Sequence, residues 1–110
     1  MPKASKKNIA VLGCGNMAWH IVRQLNKKFK IQVSNHKPNN ELLKFASDFN
    51  VQISGDFKNI SETADVYFVC VKDEFIESAI KNLNKNAVVL ITSGNFDLKN
   101  IPASYKNCAI

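Results

Sequence analysis

The chain has 110 residues, 45% of them hydrophobic, with 15 Lys or Arg and 9 Asp or Glu, so its formal net charge is +6. This length suits one domain with its own core, and the composition excludes a disordered tail and a miniprotein held together by disulfides. No uncharged apolar run approaches the roughly 18 residues of a membrane span, and no apolar signal core follows the first lysines, so we expect a cytoplasmic protein with no membrane partner.

The positive charge is concentrated at the N-terminus, where Lys3, Lys6 and Lys7 account for half of the net charge. Only one of the fifteen basic residues is Arg, and no aromatic-basic motif typical of nucleic-acid binding accompanies them. We therefore interpret residues 1–7 as a basic flexible leader and residues 8–110 as the domain, and we expect no nucleic-acid partner.

Strand-type and helix-type segments alternate along this domain. A short apolar run predicts a first strand at residues 9–12, and the spacing of Met17, Ile21 and Leu25 predicts an amphipathic helix at 16–28. In chain order there follow a strand at 31–34, a helix at 41–49, a strand at 51–53, a turn or short helix at 57–63, a strand at 65–71, a helix at 74–83, a strand at 87–91 and the start of a sixth strand at Cys108.

Two of these strands contain uninterrupted apolar runs, at residues 67–71 and 87–91, which is typical of strands covered on both faces. The helix at 74–83 carries one apolar face, formed by Phe75, Ile76, Ala79, Ile80 and Leu83. Alternating strands and helices with right-handed crossovers predict an α/β fold, a doubly wound parallel sheet (Rossmann fold) of about six strands with helices on both faces.

A glycine motif joins the first strand to the first helix. It reads Gly13-Cys14-Gly15-Asn16-Met17-Ala18, a GxGxxA form of the dinucleotide fingerprint. Gly13 permits the sharp turn, Gly15 lets a pyrophosphate approach the backbone, and Ala18 allows close helix–strand packing. The amides at the start of the helix would then face the anion. Alternatively, the glycines serve only a tight turn between two packed elements.

The loop after the second strand bears on the choice of cofactor. An NAD site usually places an acid there to bind the adenosine ribose, but residues 26–40 contain none. The loop instead contains Ser34, Asn35, His36 and Lys37, whose hydrogen-bonding groups and positive charge suit a 2′-phosphate. This favours NADP as the cofactor; the alternative is that His36 and Lys37 are solvated loop residues.

Two further polar segments follow strands four and five and should meet at the carboxyl edge of the sheet, where open α/β sheets bind ligands. The first contains Val71, Lys72, Asp73 and Glu74, and the second contains Thr92, Ser93, Gly94 and Asn95. Lys72 would face the cofactor or water, and Asp73 is a candidate N-cap of the next helix. The segment from Thr92 to Asn95 is predicted to form a polar turn below the nicotinamide end.

Other residues with reactive or aromatic side chains have structural interpretations. Trp19 is predicted to be a packing or domain-contact residue, and His20 to be a partly exposed helix residue. The three cysteines form no CxxC pair and no metal-ligand spacing, so we expect reduced thiols and no metal site. Cys70 and Cys108 lie in apolar runs and are expected to be buried filler.

With these residues in view, the chain resembles the N-terminal domain of the pyrroline-5-carboxylate reductase and deazaflavin-dependent NADP oxidoreductase superfamily. Within it, the chain is most similar to an uncharacterised bacterial Rossmann-like family of predicted two-domain reductases. The matching segments are residues 12–18, 34–37, 64–73 and 92–94.

The resemblance implies that Gly13, Gly15, Asn16 and Met17 hold the pyrophosphate and that the 34–37 loop holds the 2′-phosphate. His36 replaces the Arg that is common in the reductases, and Asp73 replaces a Pro, so proline biosynthesis does not follow. The resemblance also implies a helical second domain, absent from this chain, which completes a small-molecule pocket and forms a homodimer in the full-length protein.

Two functions are compatible with these patterns. One is the NADP-binding domain of an oxidoreductase that transfers hydride between nicotinamide and a small carbonyl or imine. In that case the cofactor supplies the redox chemistry, the catalytic residues are unknown, and we expect no turnover by the 110 residues alone. The other is a nucleotide-sensing module without catalysis. A substrate pocket over the nicotinamide would distinguish them.

Overall fold

A computed structural model describes residues 7–58, 60, 63–81, 83–84, 86–92 and 107–109, with Asp73 and residues 107–109 described by their backbone only. The strands are β1 (Asn8–Leu12), β2 (Lys30–Ser34), β3 (Gln52–Ser54), β4 (Val66–Val69), β5 (Val88–Ile91) and β6 (Asn107–Ala109). The helices are α1 (Asn16–Leu25), α2 (Asn40–Phe49) and α3 (Asp73–Ala79). In the described part of the chain, no helix has the length and apolar character needed to span a bilayer.

The six strands form one parallel sheet in the order β3-β2-β1-β4-β5-β6. The central strand is β1, whose Val11 pairs with Val33 of β2 on one side and Phe68 of β4 on the other. The order runs outward from β1 first through β2 and β3, and then through β4, β5 and β6. This confirms the predicted doubly wound sheet and places the change of direction at the carboxyl end of β1.

Two cores cover the two faces of the sheet. One contains Val11 of β1 with Val22 of α1 and Phe45 of α2. The other contains Leu12 of β1 with Ile76 of α3. Helices therefore lie on both faces, as the sequence predicts.

The predicted elements differ from the observed ones mainly at their ends. Helix α1 ends at Leu25 instead of residue 28, because the amides of Lys28 and Phe29 both donate to the Leu25 carbonyl and turn the chain toward β2. Helix α3 ends at Ala79 instead of residue 83. Beyond it, the Asn84 amide donates to the Tyr67 hydroxyl, which fixes this segment against β4.

Continuous apolar sequence does not bring complete burial to strands β4 and β5. Tyr67 and Val89 are buried on the α3 face, but Phe68 and Leu90 on the other face are only partly buried, and Val88 is 40% exposed. The prediction that both faces are covered is therefore wrong for Val88. Helices α1 and α2 pack over β1, β2 and β3, so their cover does not extend fully to β5.

Helix α1 packs against α2 through an aromatic cluster. Trp19 contacts Phe45 edge-on with ring centroids 5.2 Å apart and lies 4.5 Å from the Phe49 ring. This confirms that Trp19 is a packing residue, and His20 is exposed as predicted. Met17, expected on the apolar face, is 55% exposed, because the buried stripe of α1 consists of its neighbours at positions 18 and 22.

The two glycines of the β1–α1 turn serve different purposes. Gly13 has a φ of +106°, and a Cβ there would collide with the carbonyl oxygen of Cys70. Its amide donates to the Ser34 carbonyl at 2.6 Å, so the turn is held between β2 and the end of β4. Gly15 has an ordinary φ of −85°, and a Cβ there would meet no protein atom within 4 Å.

We expect Gly13→Ala to destabilise the fold and Gly15→Ala to leave it unchanged. The first change adds about 1–3 kcal/mol of backbone strain, together with the collision at Cys70. The second should stay within about 0.5 kcal/mol of the parent in its free energy of unfolding. Urea denaturation measures both, and equal stability of the two variants would contradict this account of the turn.

We also expect the α1–α2 face to depend on Phe45, which is 1% exposed. Phe45→Ala should lower the free energy of unfolding by about 3–5 kcal/mol, because it leaves a cavity below Trp19. Leu43→Ala is the matched control on the same helix: Leu43 is 59% exposed, and its loss should cost no more than about 0.5 kcal/mol. Comparable losses in the two variants would disprove the assigned packing face.

Candidate functional site

A cleft of about 460 Å³ opens at the carboxyl edge of the sheet, above the end of β1. Three connections contribute to it: the β1–α1 turn, the β2–α2 loop with the start of α2, and the β4–α3 turn with the start of α3. Its lining residues are Gly13, Cys14, Gly15, Asn35, His36, Lys37, Asn39, Glu41, Cys70, Val71, Lys72, Glu74 and Phe75. The change of strand order lies directly beneath, which is where doubly wound folds bind ligands.

The N-terminus of α1 is open toward the cleft. Gly15 is its N-cap, no side chain caps the helix, and its first turn contains no acid. The first helical bond runs from the Trp19 amide to the Gly15 carbonyl, so the amides of residues 16–18 have no acceptor within the helix. Open space beside Gly15, unpaired amides and the positive end of the helix dipole fit a pyrophosphate.

Asn16 and Met17 contribute backbone amides to this N-terminus rather than cleft-lining side chains. Asn16 is exposed and lines a neighbouring depression beside Trp19 and Lys44. Met17 projects into solvent. Their proposed contacts with a cofactor therefore rest on the backbone.

The β2–α2 loop brings three of its four predicted residues to the cleft. His36 and Lys37 are exposed and line it. Asn35 also lines the cleft, but its side-chain amide donates to the Lys37 carbonyl at 2.8 Å, and its backbone amide donates to the Ser54 carbonyl. Asn35 thus shapes the loop, while the side chains of His36 and Lys37 are exposed at the cleft.

Ser34 lies apart from these residues. It is 1% exposed and is not among the residues lining the cleft, because it is still part of β2 and side chains alternate between the two faces of the sheet. Its hydroxyl has no hydrogen-bond partner in the described part of the chain. A role for Ser34 in cofactor binding remains a prediction.

The β4–α3 turn supplies the opposite wall. Val71 and Lys72 line the cleft, and the Lys72 side chain is exposed. Lys72 is the N-cap of α3 and its carbonyl accepts from the Phe75 amide at 2.8 Å. The prediction that Asp73 caps this helix is therefore wrong by one position, because the first turn already closes on Lys72.

The third predicted segment is described only at its beginning. Thr92 follows β5, and both its amide and its hydroxyl donate to the Val69 carbonyl, at 3.1 and 3.3 Å. It does not line the cleft. Ser93 and Gly94 lie outside the described residues, so the predicted polar turn is untested there.

Two thiols line the cleft and both are held in the protonated form. Burial raises the pKa of Cys14, although the Asn39 side chain, 3.5 Å from its sulfur, partly opposes the shift. Burial raises the pKa of Cys70 to about 11. Nucleophilic chemistry needs the thiolate, so these groups act at neutral pH as small apolar walls. Cys70 is only half-buried, and the Cys108 side chain lies outside the described part of the chain.

Among the described residues, no three His, Cys, Asp or Glu side chains are placed to hold a metal ion. The charged groups of the cleft are instead of both signs. Lys37 and Lys72 are accompanied by Glu41 and Glu74, from the first turns of α2 and α3.

The predicted cofactor-binding residues did not include five residues of the cleft, namely Asn39, Glu41, Cys70, Glu74 and Phe75. Asn39 caps α2 by accepting from the Leu42 amide at 2.8 Å, and an Asn before a predicted helix was a visible signal for that role. The two acids carry no local signal. Phe75 was assigned to the core, but its ring stacks on His36, with centroids 4.5 Å apart and an angle of 15° between the planes.

The fold of this chain is similar to that of several solved oxidoreductase structures. A Bacteroides fragilis protein designated an NADP oxidoreductase superposes with a TM-score of 0.71 and 22% identity, over 83% of this chain and 37% of that one. Shikimate dehydrogenase of Aquifex aeolicus gives a TM-score of 0.62 and 24% identity, over 79% of this chain and 35% of that one. Lactate dehydrogenase of Cryptosporidium parvum gives a TM-score of 0.64 and 18% identity, over 86% of this chain and 37% of that one.

These identities establish the fold alone, and the chain spans little more than a third of the length of each of these structures. A sequence search of curated proteins finds no significant match. The family model described as "NADP oxidoreductase coenzyme F420-dependent" matches residues 8–95, which is most of the chain and includes every residue lining the cleft. The chain therefore belongs to this NADP oxidoreductase family, as the sequence resemblance implied, and is an NAD(P)-binding Rossmann domain of an oxidoreductase.

Proposed function

We propose that this domain binds NADP(H) in the cleft above β1 and orients the nicotinamide for hydride transfer to or from a small carbonyl or imine. The observation that carries the proposal is the open N-terminus of α1, where Gly15 leaves space beside unpaired amides. Bound NADP(H) would supply the hydride chemistry. The chain's own residues bind and position it, and the protonated Cys14 and Cys70 thiols provide a non-nucleophilic wall.

A preference for NADP over NAD is supported by the end of β2. Residues 35–37 place an imidazole and an ammonium group at the cleft, where an NAD site usually has a carboxylate. Glu41 and Glu74 also line the cleft and would oppose a phosphate if close to it. Glu41 lies in the first turn of α2, beyond the loop itself, so we infer that His36 and Lys37 dominate at the 2′-position.

The remainder of the active site is proposed to come from a helical second domain. The family membership and the fraction of the solved structures spanned by this chain support that arrangement. In this proposal the second domain covers the nicotinamide, supplies the groups that contact the substrate and forms a homodimer. A nucleotide-sensing module without catalysis would share the cleft but would have no substrate pocket over the nicotinamide.

Gly15→Val should abolish NADPH binding while the domain remains folded. The backbone at Gly15 is extended and accepts any residue, but a branched side chain would fill the space proposed for the pyrophosphate. Loss of two charge-assisted hydrogen bonds would weaken binding at least about 100-fold. Calorimetric titration measures the affinity, and circular dichroism confirms the fold.

The control for this variant is Ser47→Val, which places the same side chain on the exposed surface of α2. It should leave NADPH binding unchanged. Undiminished affinity in folded Gly15→Val would show that the motif is only a turn.

We expect NADPH to bind about tenfold or more tightly than NADH, since one charge-assisted contact with the 2′-phosphate contributes about 1.5–3 kcal/mol. His36→Asp should narrow or invert this ratio, because it removes a donor and adds a charge that repels the phosphate. The chain's other histidine provides the control: His20 is exposed on α1 and does not line the cleft, so His20→Asp should preserve the ratio. Equal affinities of the parent protein for NADPH and NADH would refute the NADP assignment.

A further inference from the structure

A pair of stacked rings bridges the two walls of the cleft. His36 belongs to the β2–α2 loop and Phe75 to the first turn of α3, so the pair extends across the end of β1. The ring centroids are 4.5 Å apart and the planes are inclined by 15°, which is a stacked geometry.

Core packing does not account for the position of Phe75. Among the described residues, the core on the α3 face contains Ile76, Ala79 and Ile80 from this segment, and Phe75 belongs to neither core cluster. The Phe75 side chain is only half-buried, and its ring stacks on His36, which is itself exposed. A large apolar ring is thus held at the mouth of a cleft that is lined by both polar and apolar groups, a position suited to contact with a ligand.

The geometry points to the ligand group that these rings would meet. In the proposed binding mode, the pyrophosphate lies at Gly15 and the adenosine ribose lies at the end of β2. The adenine is attached to that ribose and therefore projects toward the loop that contains His36 and the facing wall of α3. We propose that His36 and Phe75 form an aromatic clamp that opens to receive the adenine of the cofactor between the two rings; this inference rests on the proposed function above.

To admit the adenine, the distance between the two ring centroids must increase from 4.5 Å to about 7 Å. The base contacts one ring on each face, so the gap must hold two van der Waals separations. The structure indicates that His36 is the moving member. Phe75 is anchored on α3, whose next residue, Ile76, is fully buried. The loop backbone around His36 is held by the bond from the Asn35 side chain to the Lys37 carbonyl, so the imidazole can rotate outward without a change in the loop.

The clamp assigns different tasks to its two members. Phe75 contributes stacking alone and therefore should not distinguish NADPH from NADH, which contain the same base. His36 contributes stacking and also lies where the 2′-phosphate is proposed to bind, so it should affect both affinity and selectivity. If the loop acted only through its charge, Phe75 would not affect cofactor affinity. An effect of Phe75 on the affinity for both cofactors therefore distinguishes the clamp from a purely electrostatic role of the loop.

The test compares Phe75→Leu with the parent protein by calorimetric titration of NADPH, NADH and adenosine 2′,5′-bisphosphate. Loss of one base–aromatic stack should weaken all three ligands by a similar factor of about 5- to 150-fold. Phe75→Tyr retains the ring and should bind like the parent. Phe29→Leu is the matched control, because Phe29 is also half-buried but precedes β2 at the opposite edge of the sheet; it should leave all three affinities unchanged.

Proton NMR of the parent protein gives a readout that does not depend on any variant. The adenine protons of bound adenosine 2′,5′-bisphosphate should shift upfield and show contacts to the protons of both rings. Binding by the parent without those contacts, or Phe75→Leu within twofold of the parent for all three ligands, would overturn the clamp alone. Failure of the parent to bind NADPH, NADH and the bisphosphate would overturn the proposed function together with the clamp.

Discussion

The approach of the Gly13 backbone to the Cys70 carbonyl is the contact on which the rest of the site depends. It requires a residue without a Cβ and with a positive φ, and it seats the β1–α1 turn directly against the end of β4. The Gly13 amide is bonded to the Ser34 carbonyl of β2, so one residue connects the three central strands at their carboxyl ends. Helix α1 then begins three residues later, at Asn16, with its open N-terminus directed at the cleft. Any residue other than glycine would push these elements apart and displace the amides.

The sequence was sufficient for the parts of the molecule that depend on local pattern. The order of strands and helices followed from alternating periodicity, and the glycine turn followed from its position between a strand and an amphipathic helix. Features that depend on what packs nearby were not accessible. Periodicity placed Phe75 in the core with Ile76, but a short helix at the sheet edge turns only part of its apolar face inward. Val88 is apolar yet 40% exposed, because burial depends on what lies over the strand.

The acids of the cleft show a second limit of local reasoning. Residues 26–40 contain no acid that would repel a 2′-phosphate, yet Glu41 and Glu74 reach the cleft from the first turns of two helices. Negative side chains near helix N-termini are favoured by the helix dipole, whatever the ligand requires. Ser34 is a further case: its hydroxyl is buried at the end of β2, two positions before the exposed His36. Selectivity in such a cleft depends on the positions of individual charges, since lysines and glutamates are both present.

The cleft combines a hydrogen-bonded backbone with exposed side chains. Its three connections are held by hydrogen bonds between backbone groups: Gly13 to Ser34, Asn35 to Ser54, and Cys70 to Leu12. The backbone donors proposed to face the pyrophosphate are therefore in place before any ligand arrives, which reduces the ordering entropy lost on binding. The groups proposed to recognise the adenosine end, His36 and Lys37, are exposed side chains on this frame. They can adjust by rotation alone, because the loop backbone is fixed by the Asn35 side chain. The pyrophosphate is common to NAD and NADP, and it would meet the fixed backbone. The 2′-phosphate distinguishes the two cofactors, and it would meet side chains that can adjust. This division suits a site that discriminates between two cofactors differing by one phosphate.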